Sequence, residues 1–184
     1  MTSHATVGAE EARLPRLSPD EATGGVKTLF DAFMKQRGNV PNLFRVAAHR
    51  PAIVETLFAH LQAVTGPGTV STRLKELLAM RVSHLNDCGY CLASHTTIAR
   101  KLGASDADVQ AVERGDYAGF EPGWAAALRW ADAVTPTRGD ASDALFADLS
   151  ANWSAEQIVE ITAVITLFNH FNRFAEALRI PVTR

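Results

Sequence analysis

The sequence predicts an all-α protein, a single helical domain without a β-sheet. Four apolar residues between positions 53 and 64 recur at spacings of three and four, which is the period of an amphipathic helix. Ser18 is followed by Glu21, and Ser154 by Gln157, and this spacing is typical of the first turn of a helix. No stretch alternates convincingly between apolar and polar residues as a half-buried strand does.

Helix boundaries follow from proline, glycine and capping residues. Pro51 stands where a helix can begin, and Gly38 and Gly103 stand where helices commonly end. The Gly24-Gly25 pair should weaken the middle of the first helix. The expected helices cover residues 19–36, about 43–46, 51–64, the segment that Ser71 caps, 88–102, 105–115, 124–134, 142–149 and 155–178.

Composition limits the classes of partner. The chain has 184 residues, of which 47% are hydrophobic, and a formal net charge of −2. We expect a flexible arm over residues 1–16 and one domain over 17–184. We do not expect nucleic acid as a partner, because basic residues do not outnumber acidic ones. No apolar run approaches the ~20 residues that span a membrane, and the polar N-terminus lacks a signal peptide, so we expect a cytoplasmic protein.

Two cysteines, the only two in the chain, form a Cys-x-x-Cys pair at Cys88 and Cys91, and His95 follows. If Asp87 caps a helix here, all three side chains lie on one stripe of it. A helix N-terminus and a nearby histidine both favour the thiolate, the reactive form of cysteine. Asp87 opposes this effect, so spacing alone leaves the sign of the pKa shift open. A neighbouring cysteine can close a disulfide after the first is oxidised.

Glu76 lies twelve residues before Cys88, near the edge of the apolar stripe of its predicted helix. On composition alone a surface carboxylate is the simpler interpretation. A partly buried carboxylate beside a thiol would instead have a raised pKa and would suit proton transfer near neutral pH.

Together, Glu76, Cys88, Cys91 and His95 resemble the signature of the carboxymuconolactone decarboxylase family, in its alkylhydroperoxidase D-like branch. The segment from Leu77 to Cys88 is similar to the helix junction of that family. Two further segments, Val40–Val46 with His49-Arg50-Pro51 and Phe171–Phe174, resemble the subgroup called peroxidase-related. The likeness covers roughly residues 15–184.

The resemblance implies an AhpD-like helical fold, a homotrimer or homohexamer, and thiol-dependent reduction of hydroperoxides by an external dithiol or protein reductant. Carried onto this chain, Cys91 would attack the peroxide, Cys88 would resolve it, and Glu76 and His95 would relay protons. Some members have a histidine just before the second cysteine, where this chain has Tyr90. We expect Tyr90 to form a wall of the pocket.

Three alternatives remain open on the sequence. The first is a zinc site, because four residues have side chains of the right type to bind the ion: His84, Cys88, Cys91 and His95. One continuous helix would spread them over about 16 Å, so we expect no metal and no cofactor. His84 stays a candidate for indirect support of the thiol site. The thiols could instead form a redox switch without turnover. A decarboxylase-type proton transfer by histidine and glutamate is the third.

Overall fold

The computed structural model describes residues 12–183, and within that range the secondary structure is helical and contains no strand, as predicted. A 3₁₀ turn, Pro19–Glu21, precedes nine α-helices in the described residues. They are α1 (Gly24–Arg37), α2 (Asn42–Ala47), α3 (Pro51–Thr65), α4 (Thr72–Leu85), α5 (Gly89–Lys101), α6 (Asp106–Arg114), α7 (Pro122–Val134), α8 (Asp143–Asn152) and α9 (Ala155–Ala177).

Helix α4 lies at the centre of the molecule. It packs against α5, α6, α7 and α9, and every residue from Leu74 to Ser83 is buried. A helix surrounded on this scale buries even its polar side chains, and here these include Lys75, Glu76 and Arg81. Each of them needs an internal partner, because an unpaired buried charge is strongly unfavourable.

The junction between α4 and α5 differs from the prediction that Asp87 caps the cysteine helix. Asp87 adopts a left-handed conformation with φ of 54°, and the N-cap position is occupied by Cys88. The backbone N–H of Asp87 donates to the His84 carbonyl at 3.1 Å and that of Cys88 to the Ser83 carbonyl at 2.9 Å. These two bonds form a Schellman motif, so Asp87 terminates α4 instead of starting α5.

The first predicted helix, 19–36, is also interrupted. Ser18 and Glu21 do bond through the Ser18 N–H and the Glu21 carboxylate at 2.8 Å, but the turn that follows is only three residues long. Gly24 has a φ of 56°, which glycine adopts without strain. Ala22 and Thr23, both extended, separate the turn from α1, and the glycine pair forms the first two residues of that helix instead of weakening its middle.

The first and last of the described residues make contacts with each other and with α2. Residues 1–11 of the predicted arm, and Arg184, lie outside the described residues. Arg13, within the arm, donates its backbone N–H to the Leu178 carbonyl at 2.9 Å. Asn42 donates its backbone N–H to the Thr183 hydroxyl at 2.9 Å. No helix among residues 12–183 has both the length and the apolar character needed to cross a bilayer.

Candidate active site

One cavity of about 180 Å³ contains three of the four predicted site residues: Glu76, Cys91 and His95. Helix α4 supplies the glutamate, and α5 supplies the cysteine and the histidine one turn apart. The rest of the wall is largely apolar and aromatic. It includes Phe33, Leu43, Phe44, Phe58, Leu61, Ile98, Phe168 and Phe171. The cavity therefore brings two proton-transferring groups and a thiol to a mainly apolar chamber.

Glu76 and His95 form a close pair in this chamber. The distance from His95 Nδ1 to Glu76 Oε2 is 2.6 Å, and the two side chains are 14% and 11% exposed, histidine first. Phe168 packs edge-on against the imidazole with 4.4 Å between ring centres. Because the carboxylate holds Nδ1 and the phenyl ring fixes the ring plane, Nε2 is the nitrogen left for proton exchange in the chamber.

Both sulfurs are buried, and the two cysteines are free thiols. The Cys91 thiol is hydrogen-bonded to the Cys88 sulfur, which lowers the pKa of Cys88, although burial opposes this effect. The same bond raises the pKa of Cys91, and burial adds to the increase. The pair therefore favours a single thiolate on Cys88, which accepts a hydrogen bond from the Cys91 thiol.

Asn172 on α9 is fully buried and lies within hydrogen-bonding reach of the Cys91 thiol, where it lowers the pKa of that group. Its Nδ2 donates to Ser83 Oγ at 3.1 Å, and its Oδ1 accepts from Asn86 Nδ2 at 3.0 Å. Since the oxygen of the amide is held by Asn86, the amide presents its N–H side to the sulfur. An N–H donor stabilises a thiolate.

The remaining sequence candidates lie in different places. Tyr90 lines the cavity as predicted, and its hydroxyl accepts the Leu43 backbone N–H at 3.3 Å. His84 is exposed and is absent from the cavity wall. Within residues 12–183, no group of three or more His, Cys, Asp or Glu side chains has an arrangement suited to a metal ion, including the four residues of the zinc alternative.

Comparison with known proteins bears on this arrangement. The sequence pattern of the carboxymuconolactone decarboxylase family matches residues 51–133, which include Glu76, both cysteines and His95.

This match supports a relationship of the chain to the carboxymuconolactone decarboxylase family.

Two further proteins are similar to this chain in sequence. The uncharacterized protein YdfG of Bacillus subtilis is 26% identical over 121 residues, which are 64% of this chain and 82% of YdfG. The uncharacterized protein YnjA of Escherichia coli is 28% identical over 109 residues, which are 59% of this chain and 60% of YnjA.

Solved structures share the fold of this chain. A peroxidase-related protein from Ralstonia eutropha, described as an alkylhydroperoxidase AhpD core, superimposes with a TM-score of 0.84 at 22% identity, covering 96% of this chain and 94% of that one. The debrominase Bmp8, in complex with 2,3,4-tribromopyrrole, has a TM-score of 0.81 at 21% identity, with coverage of 91% and 90%. The predicted AhpD-like helical fold is thereby confirmed.

Asn172 is the site residue whose contacts sequence reasoning did not predict. It belongs to the segment Phe171–Phe174, which pointed only to a subgroup likeness. Helical spacing does place position 172 one turn after Phe168, on the face that packs inward. A buried asparagine between phenylalanines on such a face is an available signal, because a buried amide needs partners.

Proposed function

We propose that this protein is a thiol-dependent peroxidase that reduces organic hydroperoxides through a Cys88–Cys91 dithiol/disulfide cycle. The observation that carries the proposal is the opening of Cys91 into the chamber that also contains the Glu76–His95 pair. A nucleophile with a proton donor beside it in an apolar pocket suits cleavage of a peroxide bond, because the leaving alkoxide must be protonated.

The charge must first reach Cys91. The hydrogen bond between the thiols favours the thiolate on Cys88, whereas Cys91 is the cysteine that lines the chamber. Transfer of the Cys91 proton to Cys88 along that bond leaves the negative charge on Cys91. The Asn172 amide, which lowers the pKa of Cys91, favours this arrangement. The same transfer leaves Cys88 protonated for the later condensation.

The chemical steps then balance. The Cys91 thiolate attacks the terminal peroxide oxygen, so that an S–O bond forms and the O–O bond breaks. The leaving alkoxide takes a proton from the Glu76–His95 pair and departs as an alcohol, and Cys91 becomes a sulfenic acid. The Cys88 sulfur displaces hydroxide, which takes the Cys88 proton and leaves as water, and a disulfide forms. An external dithiol reduces it by thiol exchange and returns a proton to the pair.

The test compares peroxide consumption with dithiothreitol as the reductant in wild type, Cys91→Ser and Cys88→Ser. Cys91→Ser should lose turnover by at least about a hundredfold. Without reductant, wild type should lose two hydrogens by mass when peroxide is added, whereas Cys88→Ser should gain one oxygen. Circular dichroism verifies the fold of each variant. Equal turnover in all three proteins would remove both thiols from the mechanism.

Reductive dehalogenation is a second candidate, favoured by the aromatic chamber and by the structural likeness to a debrominase. Here the Cys91 thiolate would take the halogen from a haloaromatic ring, and the Glu76–His95 pair would protonate the ring carbanion. The Cys88 sulfur would then displace halide as the disulfide forms, and the Cys88 proton would return to the pair. Bromide release from a bromopyrrole with dithiothreitol, measured beside peroxide consumption, distinguishes the two reactions. The trimeric or hexameric assembly and the cytoplasmic location stay predictions.

A further inference from the structure

A second chamber adjoins the reactive one and is larger, with a volume of about 750 Å³. The two share part of their walls. The shared residues are Gln36, Arg37, Pro41, Tyr90, Ser94 and Ile98. We call the larger one the outer chamber and the reactive one the inner chamber. A molecule that reaches Cys91 from between these shared residues would therefore extend into the outer chamber.

The outer chamber is cationic. Arg37 and Lys101 both line it, and its lining contains no aspartate or glutamate. The inner chamber has one carboxylate in its lining, Glu76, which is already bonded to His95. The outer end of the combined space therefore has a positive charge that the residues of its walls do not neutralise.

The position of each cation has a simple structural explanation on its own. Arg37 lies in the last turn of α1 and Lys101 in the last turn of α5, where positive side chains complement the helix dipole. Their convergence on one chamber from two helices is not explained in this way. The Arg37 guanidinium donates to Ser94 Oγ at 3.3 Å, and within residues 12–183 neither cation forms an ion pair.

The contrast between the chambers points to a substrate of two parts. We propose that the substrate is an amphiphilic acid, with an apolar body in the phenylalanine-lined chamber and a carboxylate held by Arg37 and Lys101. The assignment rests on the proposed function for its reactive end, which would be a hydroperoxide on the apolar body. Arginine suits this role because its planar donors match the geometry of a carboxylate.

Binding of an unreactive probe tests the acid site independently of catalysis. Octanoate and 1-octanol have the same chain length and differ in charge, so their affinities for reduced wild-type protein can be compared by calorimetry. Octanoate should bind about threefold to fivefold more tightly, and the difference should shrink with added salt. Arg37→Gln should remove most of the difference. Arg114→Gln, at an exposed arginine on α6 outside both chambers, is the matched control and should retain it.

Turnover provides the second arm. A hydroperoxy fatty acid and its methyl ester are compared with dithiothreitol as reductant, and the acid should have a kcat/KM several-fold higher, mainly through KM. Arg37→Gln should bring the two values together. If octanoate and octanol bind equally and acid and ester turn over equally, the acid site is wrong and the peroxidase stands. If octanoate binds preferentially but neither hydroperoxide is consumed, the peroxidase is wrong and the acid site stands.

Discussion

Lys75 and Glu76 are neighbours on α4, and both are buried, yet their surroundings differ completely. Lys75 is 1% exposed, donates to the Gly66 carbonyl at 2.7 Å and pairs with Glu160. Glu76 pairs with His95 beside an open chamber. One pair fastens the α3–α4 connection to α9, whereas the other faces space that a substrate can enter. Burial of a charge alone therefore does not identify a functional group; the cavity beside Glu76 is what makes it the candidate of the two.

The largest effect that would test this contrast is on catalysis. Glu76→Gln keeps the size of the side chain and its contact with His95 but cannot hold a transferable proton. Peroxide turnover should fall by about a hundredfold or more, while the free energy of unfolding changes by less than about 1 kcal/mol. Steady-state peroxide consumption and urea unfolding measure the two quantities. Glu156→Gln, at an exposed glutamate on α9, is the control.

If Glu76→Gln unfolds the protein but leaves the turnover of the folded fraction unchanged, the contrast fails. Glu76 would then be a structural group like its neighbour.

Lys75→Met should have the opposite effect. It leaves the Glu160 carboxylate without its buried cation, and we expect the free energy of unfolding to fall by about 3 kcal/mol. Turnover per folded molecule should stay within about twofold of wild type, since Lys75 is absent from the chamber wall. Urea unfolding with Lys35→Met, at an exposed lysine on α1, as the control provides the measurement. Slow turnover with unchanged stability would break the comparison.

The smallest expected effect is on the free energy of unfolding at acidic pH. Burial raises the pKa of Glu160, but hydrogen bonds from Lys75 and Thr69 outweigh it, so the pKa lies below its ordinary value of 4.5. A lowered carboxyl pKa stabilises the fold above the unfolded pKa, and this contribution disappears as pH falls through the folded-state pKa. The Glu160 contribution, about 1 kcal/mol or less, should therefore be present at neutral pH and lost below 4.5.

Urea unfolding of wild type and Glu160→Gln across this range tests the pH dependence. The two curves of stability against pH should converge in acid. Parallel curves would show that the Glu160 carboxylate does not contribute in this way.

Local signals predicted most of the fold, because caps and breakers act within one turn. Ser154 with Gln157 predicted the start of α9, and Pro51 that of α3. The same local logic was wrong at Asp87. Asparagine and aspartate suit both the N-cap and the left-handed position after a helix, and only the bonds made by the preceding helix decide between them.

The site was predicted in part for a different reason. Cys88, Cys91 and His95 lie in a short stretch, and the family likeness added Glu76. The contacts of Asn172 depend on α9 packing against α4, since its partner Ser83 lies 89 residues away in sequence, which no spacing rule covers. The cations of the outer chamber also come from two helices that are distant in sequence.

The buried amides next to the thiols have one more consequence. Asn86 Nδ2 donates to Asn169 Oδ1 and to Asn172 Oδ1, each at 3.0 Å. Asn172 therefore cannot rotate by half a turn without bringing two NH₂ groups face to face. Asn86, at the end of α4, thus determines whether the Asn172 amide turns its N–H or its oxygen towards the Cys91 sulfur. An ionised aspartate in place of Asn86 has only acceptor oxygens, so it would favour the reversed amide, whose oxygen faces Cys91 and disfavours the anion. Leucine would only remove the bond that holds the amide in its present orientation.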